Sequence, residues 1–107
     1  MRKETEYMKL VRDRIPEIIS AGGKTAETRI LTDGEYRLML DRKLHEELAE
    51  YLEAHSFEEL CDLTEVILAS AKHLGYSQEE LLAGCAEKRE ARGGFDKKIL
   101  LEKVIEP

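Results

Sequence analysis

Three helix-start signals recur along this chain, and they constrain its fold more than any other feature. Each is a Ser or Thr followed three residues later by Glu, at Thr32, Ser56 and Ser77. In such a capping box the hydroxyl accepts a hydrogen bond from the Glu backbone N–H, and the Glu carboxylate returns to the backbone N–H of the cap. The sequence therefore predicts three consecutive helices separated by short turns.

Glycines and a proline mark further helix boundaries. Pro16 falls in the first turn of a short helix that Gly22-Gly23 ends, and Gly75 is a left-handed stop. The predicted helices are Ile15 to Ala21, 33 to about Ala54, 57 to Leu74, and 78 to the residue before Gly93. The predicted fold class is mainly all-α: one domain, residues 1 to 107, bundled around an antiparallel hairpin of residues 33 to 74. The residues leave open a two-stranded β-ribbon between "TRIL" (28 to 31) and the apolar tail.

Composition narrows the class of protein. A chain of 107 residues supports one core, and a hydrophobic fraction of 42% excludes generic disorder. The longest nearly apolar run, residues 66 to 71, is far shorter than the roughly 20 residues of a membrane span. No secretory signal pattern opens the sequence, so a cytoplasmic location is expected.

A net charge of -6 argues against polymeric nucleic acid as a partner, although not against a nucleotide. Cys61 and Cys85 lack metal-site spacing and are expected to be buried small hydrophobes.

Four acids lie in mirror order about the predicted hairpin turn. Glu50 and Glu59 are equidistant from Ala54-His55, and so are Glu47 and Asp62 further out. Acidic pairs at i,i+3 are no signal by themselves, because 23 acids in 107 residues give about five by chance. The clustering is the signal, since four of the five observed pairs lie between residues 47 and 65.

The predicted helix faces direct these acids toward apolar surface. Glu47 falls inside the apolar arc of its helix, with Glu50 at the margin, while Glu59 and Asp62 share a side with Val66. Four partly desolvated anions repel one another, and a bound cation would remove the conflict. Carboxylate oxygens without Cys or paired His favour Mg²⁺ or Mn²⁺ over zinc. Two alternatives stay open: Glu59 as the capping partner of Ser56, and Glu50 as an ordinary exposed charge.

Three blocks of sequence resemble a known family. "EELAE" and "EELCD" resemble the EExxE and ExxD halves of the motif of the MazG-like all-α NTP pyrophosphatase superfamily, which includes phosphoribosyl-ATP pyrophosphohydrolases and dimeric dUTPases. The flanking "YMKLVRDRIPEII" and "KREARGGFDKKILLE" resemble its small house-cleaning members labelled phosphoribosyl-ATP pyrophosphohydrolase-like. Together the blocks span nearly the whole chain. One departure is that only eight residues separate Glu50 from Glu59, so the substrate-covering loop of the wider superfamily is missing.

The resemblance implies a site and a reaction. It implies Glu47, Glu50, Glu59 and Asp62 as Mg²⁺ ligands, with Glu46 nearby on a more exposed face. Such a site suits attack of water on the α-phosphorus of a nucleoside triphosphate, and Glu47 or Glu50 would take the proton of that water. It also implies a homodimer or higher homo-oligomer, which fits the helix from 57 to 74: that helix is apolar nearly all round and one hairpin partner cannot cover it.

Phosphates also require positive partners. The candidates in the family-like blocks are Lys9 and Arg12 near the start and Lys88 and Arg92 near the end. Arginine offers phosphate a bidentate fork where lysine offers a point charge. The alternative for each of these four residues is an ordinary solvated surface charge.

The leading hypothesis is a Mg²⁺-dependent nucleotide pyrophosphohydrolase acting on noncanonical or surplus nucleotides. Within enzymes the alternative is the phosphoribosyl-ATP pyrophosphohydrolase of histidine biosynthesis. From another class, the alternative is a helical interaction module whose acids are a solvated or partner-binding surface. The sequence does not choose the base or the sugar of the substrate.

Overall fold

Four helices make up the regular structure of the part of the chain that the structure describes. A computed structural model describes residues 2–107. The helices are α1 (Ile15–Ala21), α2 (Asp33–Ala54), α3 (Phe57–His73) and α4 (Gln78–Arg92). The all-α prediction is confirmed, and each predicted boundary agrees with the observed one to within one residue. Since these boundaries were predicted from caps and glycines, local sequence determines them.

Two of the predicted capping boxes form completely. At the start of α2 the Thr32 hydroxyl accepts from the Glu35 N–H at 3.2 Å, and a Glu35 carboxylate oxygen accepts from the Thr32 N–H at 3.0 Å. Ser77 and Glu80 repeat the arrangement at the start of α4, with both distances 3.1 Å. Each box satisfies N–H groups that a helix start otherwise leaves unpaired.

The turn between α2 and α3 is the tightest connection in the molecule. His55 adopts the left-handed conformation, with φ 49°, and its N–H donates to the Tyr51 carbonyl at 2.7 Å. Ser56 then opens α3, and its hydroxyl accepts from the Glu59 N–H at 3.3 Å. Within residues 2–107 the Glu59 carboxylate does not return to the Ser56 N–H, so the box predicted here is only half formed.

The core lies between α2 and α3, which pack antiparallel against each other, and α4 packs more lightly on α3. Leu40, Val66 and Ala71 are its buried apolar side chains among residues 2–107, and the acid Glu47 is buried with them. The prediction of buried cysteines is wrong, because Cys61 and Cys85 are both exposed. Cys61 lies roughly 140° around α3 from the buried Val66, which turns it away from α2.

The chain on either side of the helices is extended and exposed. The molecule measures 73 × 31 × 24 Å. Its radius of gyration is 19.1 Å, where a compact chain of this length would have ~13 Å. The β-ribbon left open by the sequence does not form, since residues 2–107 contain no strand. Its two sides are not paired: Ile30 is 95% exposed and Leu101 is 75% exposed. Among the described residues no helix combines the length and apolar character needed to cross a membrane.

Candidate metal centre

Glu47 is the buried acid at the centre of the site. It lies seven residues after the buried Leu40, so two helical turns place both side chains on the face of α2 that meets α3. The residue is 6% exposed. One carboxylate oxygen, Oε1, lies 3.5 Å from Lys43 Nζ. The other, Oε2, is buried and has no hydrogen-bond partner among the described residues. A buried acceptor of this kind is costly unless a ligand satisfies it.

Glu59 brings a second carboxylate to the same place from α3. Because the capping box at Ser56 is half formed, its side chain is not used to cap the helix. Its Oε2 is also buried without a partner in the described chain. Glu47, Glu50 and Glu59 each contribute one carboxylate oxygen to a group in which all oxygens lie within 4.8 Å of one another. The structure therefore brings together three of the four predicted ligands.

The charges of this cluster oppose one another. Burial is the main cause that raises the pKa of Glu47 above its usual value, and the neighbouring carboxylates of Glu50 and Asp62 add to it. Burial also raises the pKa of Glu59, with the nearby charges of Glu50 and Asp62 adding to it. Both shifts mean that the folded chain holds ionised carboxylates at a cost. A cation among them would remove that cost.

The donor set fits a hard divalent ion. All the converging atoms are carboxylate oxygens, which Mg²⁺ and Mn²⁺ prefer, and the two orphaned Oε2 atoms are free to accept a ligand. Neither cysteine is in the group, since the cluster contains glutamates alone. Glu47, Glu50 and Glu59 are thus the residues that would hold such an ion.

Asp62, the fourth predicted ligand, has a different partner. Its Oδ1 accepts from Arg12 Nη2 at 2.8 Å, and the Asp62 side chain is 42% exposed. It is outside the group of three converging oxygens, but its charge still raises the pKa of Glu47 and Glu59. Asp62 therefore borders the cluster while it is paired with a guanidinium.

The N-terminal segment passes along the edge of the cluster. Lys9 Nζ donates to Glu46 Oε1 at 3.0 Å. That hydrogen bond raises the pKa of Lys9 and lowers the pKa of Glu46, and the charges of Glu50 and Glu47 also act on Lys9. With Arg12 on Asp62, two of the four predicted phosphate partners lie beside the acids.

The other two predicted phosphate partners, Lys88 and Arg92, are exposed on α4. Neither forms an ion pair with an acid within residues 2–107. Their role in substrate binding stays a prediction.

Sequence reasoning missed Lys43. Its ammonium lies 3.5 Å from both Glu46 Oε2 and Glu47 Oε1, and its side chain is 21% exposed. The signal was present in the sequence, because Lys43 precedes these acids by three and four residues, the spacings that meet on one helix face. Lys43 is the cation that lies against the buried acid.

Comparisons with known proteins extend over less than half of the chain. No family model matches it, and no solved structure matches it. An uncharacterized protein of Mycolicibacterium smegmatis (strain ATCC 700084 / mc(2)155) is 61% identical over 41 residues. That match covers 38% of this chain and 42% of the relative's length.

Proposed function

We propose that this protein is a Mg²⁺-dependent nucleotide pyrophosphohydrolase, which hydrolyses a nucleoside triphosphate to the monophosphate and pyrophosphate. The observation that carries the proposal is Glu47, a buried acid with an unpartnered oxygen among the converging carboxylates of Glu50 and Glu59. A solvated acidic surface would leave Glu47 Oε2 and Glu59 Oε2 in water, whereas both are buried and only Glu50 of the three residues is exposed. The resemblance of the flanking blocks to house-cleaning pyrophosphatases supports noncanonical or surplus nucleotides as the substrate class.

The roles of the acids follow from their positions. Glu47, Glu50 and Glu59 would hold the cation. Asp62, whose charge raises the pKa of Glu47 and Glu59, would join them when Arg12 releases it. Bound Mg²⁺ would neutralise phosphate oxygens and make a nearby water a stronger acid. Lys43 pairs with Glu47 Oε1, which leaves the buried Glu47 Oε2 to bind the cation. Glu47 or Glu50 would accept the proton of the attacking water.

The basic residues provide the charge that a triphosphate needs. Lys9 and Arg12 lie beside the acids on the N-terminal segment. Arg12 can offer two parallel N–H groups to a phosphate. Its present partner is the carboxylate of Asp62, an oxygen anion that arginine binds with the same fork geometry. We therefore assign the polyphosphate to the edge of the cluster along residues 9 to 12.

The first test is pyrophosphate release from canonical and modified NTPs and dNTPs, with phosphoribosyl-ATP on the same panel, in the presence of Mg²⁺. Glu47→Gln and Glu59→Gln should abolish release, while Glu53→Gln, an exposed acid on the same helix, should keep it. Turnover of phosphoribosyl-ATP alone would transfer the assignment to the histidine-biosynthesis reaction.

The second test measures the ion directly. At free Mg²⁺ of about 100 times its dissociation constant, binding to the folded state adds about 2.7 kcal/mol of stability. The melting temperature should rise with Mg²⁺ in the wild type and in Glu53→Gln, and should not rise in Glu47→Gln. If Mg²⁺ and Mn²⁺ leave the wild-type melting temperature unchanged and no nucleotide turns over, the interaction-module alternative replaces the enzyme.

A further inference from the structure

A small cavity lies between the N-terminal segment and α2, beside the carboxylate cluster. Its volume is about 130 Å³. Residues 8–10 line one wall, and Met39, Arg42, Lys43 and Glu46 of α2 line the other. A cavity of this size takes one small group, since an apolar cavity of about 150 Å³ holds a single benzene molecule.

The α2 wall of the cavity continues into the carboxylate cluster. Its four residues are spaced by three or four positions along one face of the helix, and Glu50 follows Glu46 by four on that face. At ~1.5 Å per residue, Arg42 lies ~7.5 Å along the helix axis from Glu47 and ~12 Å from Glu50. Lys43 borders both places, because its ammonium lies 3.5 Å from a carboxylate oxygen of Glu46 and of Glu47. A ligand that is held at the cluster can therefore extend along α2 into the cavity.

The cavity carries an excess of positive charge. Lys9, Arg42 and Lys43 line it together with a single acid, Glu46. That acid is already shared, because Lys9 Nζ lies 3.0 Å from Glu46 Oε1 and Lys43 Nζ lies 3.5 Å from Glu46 Oε2. The apolar side chains of the walls exclude water from part of the cavity, and opposite charges attract more strongly where water is excluded. An anion therefore fits this cavity better than a neutral or positive group.

Arg42 is the cation of this cavity whose charge is not paired. It is exposed, and within residues 2–107 it forms no ion pair. Its Nη1 donates to Met39 Sδ at 3.9 Å, and a thioether sulfur is only a weak acceptor. The guanidinium thus keeps the fork of N–H groups with which arginine binds phosphate oxygens.

We propose that this cavity is the subsite for the pyrophosphate end of the substrate, and that Arg42 binds those two phosphates. The inference rests on the proposed function for the identity of its ligand, because the carboxylate cluster would hold the cation at the α-phosphate. The β- and γ-phosphates would then lie along α2 toward Lys9 and Arg42. Such a subsite selects for triphosphates, since a monophosphate has no group that reaches Arg42.

The test is the binding of inorganic pyrophosphate to the full chain in the presence of Mg²⁺, measured by isothermal titration calorimetry. Arg42→Gln should weaken this binding at least tenfold. Arg37→Gln is the matched control and should change it less than twofold, because Arg37 is an exposed arginine ~140° around the same helix. Glutamine is a good helix former, so both variants should keep α2 intact.

The opposite wall of the cavity gives an independent test. Leu10→Glu places a negative charge on that wall, outside the helices, and should also weaken pyrophosphate binding at least tenfold. Ile30→Glu, likewise outside the helices and 95% exposed, should change it less than twofold. Pyrophosphate that binds Leu10→Glu as tightly as the wild type would place the anion outside the cavity and overturn the proposal.

Turnover separates this subsite from the proposed function. Arg42→Gln should lower kcat/KM for the nucleoside triphosphate at least tenfold, while Mg²⁺ should raise its melting temperature as it does for the wild type. Hydrolysis that is unchanged in Arg42→Gln would overturn the subsite and keep the enzyme, and so would a wild type that hydrolyses nucleotides without binding pyrophosphate. Pyrophosphate binding that depends on Arg42, without turnover of any nucleotide, would keep the subsite and overturn the reaction.

Discussion

The α2–α3 hairpin and the two ends of the chain use their apolar residues in opposite ways. In the hairpin, a capped helix start and a one-residue left-handed turn place Leu40 and Val66 in a core. In the ends, large apolar side chains also occur but lie in water, with Tyr7 72% and Phe95 97% exposed. The hairpin buries part of its apolar surface within one chain, whereas the large apolar side chains of the two ends stay exposed.

The comparison also draws attention to Glu47, the buried acid of the candidate site. The hairpin core is small, and it includes an acid at a position where an apolar side chain would pack. A fold that buries Glu47 while it leaves leucines exposed is not arranged for stability alone. Local conflicts of this kind are expected at functional sites.

The largest expected effect is in the core. Leu40→Ala should lower the free energy of unfolding by about 3 kcal/mol, because it removes a buried side chain and leaves a cavity. Leu38→Ala, on the same helix but 64% exposed, should change it by no more than about 0.5 kcal/mol. Urea denaturation at one protein concentration measures both. Equal losses would show that the exposed leucine is covered in solution, which would remove the contrast between these two positions.

The helices were predictable from the sequence because their signals are local. Each boundary depends on residues within one turn, such as Thr32 with Glu35 or Gly75 after Leu74. The inward direction of Glu47 was also predictable, since it is set by the seven-residue spacing from Leu40.

Features that depend on distant contacts were not predictable in the same way. Glu59 had two competing partners, its own helix cap and the acids of α2, and only the packing of the hairpin decides between them. The pairing of Arg12 with Asp62 joins residues 50 positions apart. The exposure of Cys61 and the absence of a ribbon likewise depend on where other elements pack.

A smaller effect on the melting temperature is expected at Glu35 and Glu59, which occupy the same position of two predicted capping boxes. Glu35 completes its capping box and also pairs with Arg29, whereas Glu59 leaves its box and joins the acids. In metal-free buffer at pH 7, Glu35→Gln should lower the melting temperature and Glu59→Gln should raise it. Thermal unfolding with a chelator measures both variants. A decrease in both would mean that Glu59 stabilises α3 and that its carboxylate is a cap.

The pH dependence of these two effects has opposite signs. Hydrogen bonds from Arg29 and Thr32 lower the pKa of Glu35 from 4.5 to about 2, so its contribution is present above pH 4.5 and disappears as the pH falls toward 2. The pKa of Glu59 is raised above 4.5, so its ionisation costs stability as the pH rises through that raised value. The advantage of Glu59→Gln over the wild type should therefore vanish in acid, where the wild-type carboxyl is protonated.

The smallest expected effect concerns Arg12. Its ion pair with Asp62 is half exposed, so Arg12→Gln should cost only about 0.5 kcal/mol of stability. Arg14→Gln is the matched control. Arg14 also forms an ion pair at 2.8 Å, with Glu17, and this pair is not part of the carboxylate cluster. Isothermal titration calorimetry with Mg²⁺ compares the ion affinity of the two variants. Arg12→Gln should bind Mg²⁺ several-fold more tightly than the wild type, while Arg14→Gln should bind it equally well.

The reason is competition for one carboxylate. Removing the guanidinium frees Asp62 as a fourth anion beside Glu47, Glu50 and Glu59, and it also removes a positive charge that repels the ion. Arg12→Gln should also raise the KM for a nucleoside triphosphate, because the phosphates then lose the Arg12 guanidinium as a partner. If Arg12→Gln instead weakens Mg²⁺ binding, then Arg12 positions Asp62 for the ion. The N-terminal segment would then belong to the metal site itself.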